Sequence, residues 1–381
     1  MKLSVLLPTR NGGPFLHDCV ASVLRQEDTD LELVVADNAN QDETADVLYS
    51  FRSDRRMVVI RHAEPLPVTD NWRSALAAST GDYMLMIGDD DYLLPSYSSR
   101  IRRLIEQHDY PDCVTYNAYS YVFPSAIAGL DTSHYGDPHF SFGPDFVPYQ
   151  MLGSELQRSI VRDMFCFRPR LPLNMQATLV SRRAVDRLAG DVFRPPFPDH
   201  YALNALLLTA DRWLYAPDKL LVIGVSLKSF GHFVYSNQQD DGLEYLGISS
   251  KLDDRLPGNE LLTAMYSWLL LLKRNFPAEL QDVEVSRADY VARQLWDWYV
   301  QWRFGSLTAR AVLDRLRLLS WQDWTGVLAL APDWEILQKV VRRGRLRGDR
   351  VQHIWYGLKP LPGVRGIADF AEWLHRADVV C

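Results

Sequence analysis

The stretch Met84-Leu-Met-Ile-Gly-Asp-Asp-Asp-Tyr-Leu-Leu-Pro95 decides how this chain folds and what it can bind. Its apolar start predicts a buried strand, which ends in three consecutive carboxylates at Asp89, Asp90 and Asp91. Because like charges this close repel one another and are costly to bury unpaired, the cluster suggests a divalent cation. Such oxygen ligands favour Mg²⁺ or Mn²⁺, which often bridge to substrate phosphates. The alternative is a solvated turn whose aspartates cap a helix near Pro95.

The residues before this stretch alternate between predicted strands and helices. Strands are predicted at Leu3–Pro8, Leu31–Ala36, Met57–Ile60 and Tyr83–Ile87, and helices at Phe15–Leu24, Glu43–Phe51 and Thr69–Ser79. This order predicts an α/β fold with a Rossmann-like, mostly parallel sheet flanked by helices. Ligand loops of such sheets lie at the carboxyl ends of the strands, and Thr9, Asp37 and the three aspartates fall there.

The later sequence divides into a second part of the sheet and a helical region. Strands are predicted again at Gln176–Ser181, Trp213–Ala216 and Leu220–Val225. Residues 122–148 lack periodicity, and a long irregular stretch of this kind is often a lid or a binding loop. Helical spacing dominates beyond Ser236, where nine of the eleven tryptophans lie. We therefore predict two domains, an α/β domain over 1–235 and a mainly helical, Trp-rich domain over 236–381 with an acceptor, dimer or membrane-surface role.

Composition narrows the class of protein. The 381 residues carry a net charge of −7, which gives no nucleic-acid footprint. The four cysteines form no CxxC pair, as is typical of reduced cytosolic thiols and not of a disulfide framework or a zinc site. No signal peptide is visible, and the longest apolar run, Leu261–Leu272, is too short to span a bilayer. The expected location is the cytoplasm, with peripheral contact at the inner face of the membrane as a further hypothesis.

Four segments in order resemble a family 2 glycosyltransferase of the GT-A fold. They are Ser4-Val-Leu-Leu-Pro-Thr-Arg-Asn11, Glu32-Leu-Val-Val-Ala-Asp-Asn38, Asn71 to Tyr83, and Ile87-Gly-Asp-Asp-Asp-Tyr-Leu-Leu-Pro95. The resemblance covers residues 1–120 well and 170–232 more loosely. It implies metal-dependent, inverting transfer of one sugar from a nucleotide-sugar, with a UDP-sugar favoured, to a hydroxyl acceptor. The implied setting is bacterial surface polysaccharide or glycoconjugate biosynthesis, with a glycan or a lipid-linked sugar as acceptor.

The resemblance also implies roles for individual residues around a DxD motif. The metal, Mn²⁺ or Mg²⁺, would be held by Asp91 and Asp89, with His232 as a further ligand. Gly88 stands where many relatives have an aspartate, so the frame of the motif is ambiguous. The nucleotide-sugar would be held by Pro8, Thr9, Arg10, Asn11, Asp37, Asn71, Asp89 and Asp90.

The catalytic base implied by the resemblance is Asp199, at the start of a helix. An inverting displacement needs a carboxylate to accept the proton of the attacking hydroxyl. Pro198 replaces the residue that usually precedes this aspartate in relatives. The alternative is that Asp199 caps its helix, as aspartates commonly do. Similarly, Asp37 could be a turn residue, His232 could be structural, and Lys228 is a further candidate for a phosphate contact.

Two rival functions and the helical tail complete the predictions. One rival is a sugar-1-phosphate nucleotidyltransferase, although the Asn11-Gly-Gly13 loop lacks a following lysine. The other is a catalytically inactive nucleotide-sugar binding protein. Arg212-Trp213 lacks the QxxRW context of processive synthases, so a single transfer is expected.

The tryptophans of the tail would form a core, a homodimer face or a membrane belt, and the basic run Lys339–Arg350 suits anionic headgroups.

Overall fold

The computed structural model describes residues 1–127, 130–188, 192–229, 256–257, 260–303, 305, 307–330 and 357–377. Within these residues eleven strands form one sheet. The strands are β1 Leu3–Thr9, β2 Leu31–Asp37, β3 Met57–Arg61, β4 Tyr83–Met86, β5 Tyr92–Leu93, β6 Cys113–Val122, β7 His134–Gly136, β8 Gln150–Leu152, β9 Thr178–Ser181, β10 Trp213–Val225 and β11 Lys359–Pro360.

The helices lie on both faces of the sheet and beyond it. Those in the first part of the chain are α1 Gly13–Leu24, α2 Thr44–Ser50, α3 Val68–Ala78, α4 Tyr97–Gln107, α5 Ser154–Phe165, α6 Arg182–Arg187 and α7 Pro198–Thr209, with a 3₁₀ turn at Met175–Ala177. Those in the later part are α8 Glu260–Asn275, α9 Pro277–Leu280, α10 Arg287–Arg303, α11 Ala309–Leu316, α12 Trp321–Ala329 and α13 Ile367–Arg376. No helix in the described ranges is both long and apolar enough to cross a bilayer.

The strand order explains why the predicted ligand loops meet. The order across the sheet is β11-β7-β6-β9-β4-β1-β2-β3, and β10 runs beside β6. β1 is parallel to β2 and β4, and its last residue, Thr9, lies opposite Asp37. β9 is antiparallel to β4 and β6, so its beginning lies at the same edge as their carboxyl ends. Strands β4, β1, β2 and β3 therefore form the parallel sheet that the sequence predicted, and antiparallel strands extend it beyond β4.

Alternate side chains of the central strands pack into two separate apolar clusters. On one face Leu6, Val34 and Met84 join helices α3 and α5–α7, and on the other Val5 and Leu33 join helix α1 and their neighbours. This alternation is the period-2 pattern of a sheet buried on both faces. The central strands therefore form a rigid base for the loops at their ends.

The later helices extend the first of these clusters. Trp268 of α8, with Tyr290 and Trp298 of α10, is buried in the same apolar cluster as α7. Core packing thus accounts for Trp268 and Trp298, and Trp324 is partly buried against the same cluster, while Trp321 is 79% exposed. The division of the chain at residue 235 stays a prediction.

The last described segment returns to the sheet. Strand β11 pairs antiparallel with β7. Helix α13 follows, and its Phe370 stacks on Tyr121 of β6 with ring centroids 5.6 Å apart. Phe370 shares a small apolar cluster with Tyr92 and Leu94, the residues that follow the aspartates. This segment therefore covers the outer side of the aspartate loop.

Some elements differ from the sequence expectations. The predicted short strands at 213–216 and 220–225 are one strand, β10, whose register against β6 shifts between Tyr215 and Leu221. The polar residues between the two apolar runs occupy that irregularity. No expectation covered β6, because Thr115, Asn117 and Ser120 interrupt its apolar pattern, yet all ten of its residues are buried.

Candidate active site

A cavity of about 830 Å³ opens at the edge where the parallel strands end. Its lining comes from the loops after β1, β2, β4 and β10, from helix α3, from the segment before β9 and from the start of α7. Of the predicted site residues, it brings together Pro8, Thr9, Arg10, Asn11, Asn71, Asp89, Asp90 and Asp199. A volume in this range accommodates a ligand of the size of a nucleotide-sugar.

The three aspartates divide into two that line the cavity and one that does not. Thr9 Oγ1 donates to Asp89 Oδ2 at 2.7 Å, and Ser226 Oγ donates to Asp90 Oδ2 at 2.8 Å. Asp91 lies behind them, only 1% exposed. Its Oδ2 accepts the Gly88 N–H at 2.7 Å and its Oδ1 accepts the Gly224 N–H at 3.0 Å. Asp91 therefore ties the aspartate loop to strand β10, and its assignment as a metal ligand stays a prediction.

Burial dominates the electrostatics of this cluster. It raises the pKa of Asp89, raises the pKa of Asp90 well above its usual range, and raises the pKa of Asp91 to about 7. The neighbouring carboxylates raise the pKa of Asp90 further. Three negative charges on buried carboxylates are unfavourable unless a positive charge lies nearby. The cluster therefore suits a bound cation.

Two glycines allow the close packing of this loop. A Cβ atom on Gly224 would lie 1.9 Å from the Asp90 carbonyl oxygen. A Cβ atom on Gly12 would lie 2.0 Å from Asp89 Oδ2. Both distances are far inside van der Waals contact, so only glycine permits these approaches.

The loop after β2 contributes to the cavity through Asn38 and not through Asp37. Asp37 is buried, its Oδ1 accepts the Asn40 N–H at 3.1 Å, and its Oδ2 lies 3.4 Å from Arg61 Nε. Asn38 lines the cavity, and its amide pairs with the Leu66 backbone, donating to O at 2.9 Å and accepting from N at 2.7 Å. A role for Asp37 in base binding stays a prediction.

Two cationic side chains line the cavity within the described part of the chain, Arg10 and Lys228. Lys228 Nζ contacts the Asn11 carbonyl oxygen and lies 3.6 Å from Asp42 Oδ2. Its charge also opposes the rise in the pKa of Asp89 that burial causes. The positive charge therefore collects between the loop after β1 and the aspartate loop, where a diphosphate would need it.

Asp199 lies in the first turn of α7 and lines the cavity. The N-cap residue is Phe197, so the alternative role of Asp199 as the helix cap is wrong. Asp199 Oδ1 accepts the His200 N–H at 3.0 Å. Burial raises the pKa of Asp199, which makes its carboxylate a stronger proton acceptor.

Several lining residues were not predicted from sequence. They are Asn38, Leu66, Val68, Trp72, His139, Phe140, Leu173, Asn174, Gln176, Phe197 and His200, with others. His139 and Phe140 belong to the irregular segment 122–148, for which a binding loop was expected. Asn117 holds Phe140 there, donating to its O at 3.0 Å and accepting from its N at 3.1 Å. The aromatic content of that segment was the signal that could have identified them.

The residues present fit a Mg²⁺ or Mn²⁺ ion that is completed by its substrate. Asp89 and Asp90 supply carboxylate oxygens at the cavity wall. No group of three or more His, Cys, Asp or Glu side chains suited to a metal occurs within the described residues. Magnesium commonly takes one or two carboxylates together with substrate phosphates and water, so two are sufficient. His232 lies outside the described residues.

The first part of the chain is similar in sequence to known proteins. The family model described as Glycosyl transferase family 2 matches residues 4–152. A PGL/p-HBAD biosynthesis glycosyltransferase of Mycobacterium bovis is 31% identical over 114 residues, which is 29% of this chain and 44% of the relative. An uncharacterized glycosyltransferase of Bacillus subtilis, EpsJ, is 26% identical over 107 residues, 28% of this chain and 31% of the relative. The chain thus spans less than half the length of these two relatives.

A solved structure extends the likeness in fold beyond the matched segment. S. aureus TarS 1-349, in complex with UDP-GlcNAc, has a TM-score of 0.50 at 14% identity and covers 91% of this chain and 93% of its own. At this identity the likeness concerns the fold alone. Together with the family match, it establishes that this chain contains, over residues 4–152, a family 2 glycosyltransferase domain of the GT-A fold.

Proposed function

We propose that this protein transfers one sugar from a nucleoside-diphosphate sugar to a hydroxyl group of an acceptor, with inversion at the anomeric carbon. One observation carries the proposal. A single cavity is lined by the Asp89–Asp90 pair with Lys228 and, from a different element, by the carboxylate of Asp199. The first group suits a diphosphate and its cation, and the second suits proton removal from an attacking hydroxyl.

The chemical step follows from these positions. Asp199 accepts the proton of the acceptor hydroxyl while the hydroxyl oxygen forms a bond to the anomeric carbon. The bond from that carbon to the diphosphate oxygen breaks, and its electron pair leaves with the nucleoside diphosphate. Attack opposite the leaving group inverts the configuration. Such a positioned base contributes about 10²- to 10⁴-fold in rate.

Binding of the donor falls to the side chains at the ends of β1, β4 and β10. Lys228 and Arg10 would contact the phosphates, because they are the cationic groups of the described lining. Asp89 and Asp90 would hold Mn²⁺ or Mg²⁺, which when bound neutralises charge on the leaving diphosphate. Asn71, whose Oδ1 is buried without a hydrogen-bond partner among the described residues, would contact the sugar or ribose. Pro8, Thr9, Asn11 and Asp37 complete the proposed nucleotide site, with UDP favoured.

Calorimetric titration tests this proposal directly. UDP, GDP and dTDP would be titrated into the full chain with Mn²⁺ and again with EDTA. We expect UDP to bind most tightly and binding to weaken in EDTA. Asp89→Asn should lose the metal-dependent part of the affinity. If no nucleoside diphosphate binds with or without Mn²⁺, the proposal is wrong, and equal binding in EDTA removes the metal from it.

The location and the assembly of the protein belong to the same proposal. We propose a cytoplasmic enzyme of surface glycan or glycoconjugate biosynthesis that contacts the inner face of the membrane peripherally. The support is the exposure of Trp321 and Leu328 on α12, 79% and 81%. The basic run Lys339–Arg350 lies outside the described residues, and a homodimer through the Trp-rich region stays a prediction. Sedimentation with anionic vesicles tests the membrane contact, and protein left in the supernatant contradicts it.

A further inference from the structure

The four residues that follow strand β10, numbers 226–229, form a turn that brings Lys228 to the cavity. Two serines close this turn. The Ser226 N–H donates to Ser229 Oγ at 3.0 Å, and Ser229 donates to the Ser226 carbonyl oxygen through its N–H at 3.2 Å and through Oγ at 3.0 Å. Lys228 and Ser229 line the cavity, whereas Ser226 lies behind them and is 1% exposed. The turn therefore has one buried end and one end at the cavity.

The side-chain hydroxyl of Ser226 connects this turn to the aspartate loop. It donates to Asp90 Oδ2 at 2.8 Å and accepts the Lys228 N–H at 3.3 Å. A hydroxyl group has one proton and two lone pairs, so it can make both bonds at once. A hydrogen bond to a carboxylate is also stronger than one between neutral groups. The backbone of Lys228 is thus tied to Asp90 through a single hydroxyl group.

The ammonium end of Lys228 is fixed to other loops. Its Nζ atom contacts the Asn11 carbonyl oxygen and lies 3.6 Å from Asp42 Oδ2. Asp42 is itself held in place, because its two oxygens accept the Gly13 N–H at 3.0 Å and the Thr44 N–H at 3.1 Å. Lys228 is therefore held at its backbone and at its charged end without a ligand. A side chain that is ordered in advance loses less conformational freedom when a ligand binds.

The alternative is that the Ser226 hydroxyl only stabilises the fold, and Ser4 is an example of that role. Ser4 is also 1% exposed, and it donates to Glu32 Oε1 at 2.6 Å and accepts the Gly81 N–H at 2.8 Å. It lies near the start of β1, away from the carboxyl end where the cavity opens. Both serines thus join a carboxylate to a backbone N–H. They differ because the two residues that Ser226 joins both line the cavity.

We infer that Ser226 is a positioning residue, whose hydroxyl group fixes the turn of Lys228 to Asp90 and so keeps the ammonium group in place for the diphosphate of the donor. Without this hydroxyl the turn loses its bond to the aspartate loop, and Lys228 has to be ordered when the donor binds. Ser226 acts through Lys228 and not by touching the donor. This inference rests on the proposed function and adds a residue to its donor site.

Calorimetric titration of UDP in the presence of Mn²⁺ tests the inference on the full chain. The test variant is Ser226→Ala, and Ser226→Thr keeps the hydroxyl group. Ser4→Ala is the matched control, because it removes the same pair of hydrogen bonds at a site outside the cavity lining. Lys228→Met, alone and combined with Ser226→Ala, shows whether the effect of Ser226 passes through the lysine. Thermal unfolding of every variant measures the change in stability.

We expect Ser226→Ala to weaken UDP binding by about 5- to 20-fold, the equivalent of one hydrogen bond. Ser226→Thr should restore most of the lost affinity. Ser4→Ala should lower the melting temperature at least as much as Ser226→Ala does and leave the UDP affinity unchanged. In the Lys228→Met background, Ser226→Ala should change the UDP affinity by less than about twofold, because the group that it positions is already absent.

Three results would overturn the inference while the proposed function stands. The wild type binds UDP but Ser226→Ala keeps full affinity, or Lys228→Met binds UDP as tightly as the wild type, or Ser226→Ala causes the same loss with and without the lysine. The last result would show that the hydroxyl group only stabilises the fold. If the wild type does not bind UDP, the proposed function fails and this inference fails with it.

Discussion

The two carboxylate sites of the cavity are built in opposite ways. Asp91 and its neighbours are fixed by hydrogen bonds from Thr9 and Ser226 side chains and from two backbone N–H groups, at 2.7 to 3.0 Å. Asp199 lies beside aromatic and neutral side chains, where burial raises its pKa. The first site holds its carboxylates in one geometry through these bonds, and because burial raises their pKa values, it suits a cation. The second is built to change its protonation, since a less solvated carboxylate accepts a proton more readily.

The substitution with the largest expected effect removes the proton acceptor and leaves the binding groups in place. Asp199→Asn keeps the shape of the side chain but cannot act as the base. We expect turnover to fall about 10²- to 10⁴-fold, with UDP affinity changed by less than about twofold. Release of the nucleoside diphosphate, measured in a coupled assay with a working acceptor, reports the first quantity and calorimetry the second. Unchanged turnover would place the base elsewhere and remove the contrast between the two sites.

The next largest effects distinguish Asp89 from Asp91 in the aspartate loop. Asp89→Asn removes a charge at the cavity wall and should weaken Mn²⁺-dependent UDP binding by about ten- to a hundredfold. Asp91→Asn should instead lower stability by about 1 to 3 kcal/mol, because an amide cannot accept both the Gly88 and the Gly224 N–H groups. Calorimetry and thermal unfolding of the two variants distinguish these outcomes. The reverse pattern would make Asp91 the metal ligand, as the family resemblance implied.

A steric test addresses the packing of the same loop. Gly224→Ala places a methyl group where the Asp90 carbonyl oxygen lies, at 1.9 Å, so the loop must shift. We expect a loss of about 1 to 3 kcal/mol in stability, together with weaker UDP binding. Gly143→Ala is the matched control, because a Cβ atom there would meet no atom within 4 Å. Equal melting temperatures for both variants would show that the loop is not held against β10.

The smallest expected effect is a pH dependence of the free energy of unfolding, and it comes from Asp199. Because the pKa of Asp199 is raised in the folded protein, the folded state binds its proton more tightly than the unfolded state. The stability that the neutral form contributes is therefore lost as the pH rises through the raised pKa. Asp199→Asn removes this loss, so its melting temperature should exceed that of the wild type at neutral pH and approach it in acid. A difference that is constant with pH would contradict the raised pKa.

The sequence predicted strands β1 to β4, β9 and both parts of β10, and with them the cavity residues Thr9, Asp89 and Asp90, because these depend on local pattern. Runs such as Leu3–Pro8 are apolar throughout, as expected of strands covered on both faces. The aspartate loop was found because three adjacent carboxylates are unusual after such a run. The position of Asp199 came from the family resemblance and not from its own pattern, which equally fitted a helix cap.

What escaped prediction depends on contacts between distant segments. Asp91 accepts a hydrogen bond from Gly224, on a strand more than 130 residues later, and this contact ties it to β10. Phe140 lines the cavity because Asn117 captures its backbone. Strand β6 was missed because its buried polar residues find partners across the fold, such as Thr115 with Thr178 at 3.0 Å. Sequence spacing carries no information on such pairings.

The return of the segment at 357–377 to the sheet has a consequence for synthesis. The ribosome releases the aspartate loop and Tyr92 long before it releases Phe370, which packs in the same apolar cluster. Until then the outer side of that loop exposes aromatic surface, which is the kind of surface that chaperones bind. A fragment that ends at residue 235 would contain every predicted site residue and still leave Tyr92, Leu94 and Tyr121 uncovered. Donor binding in such a fragment would therefore be limited by the solubility of its surface and not by the chemistry of its cavity.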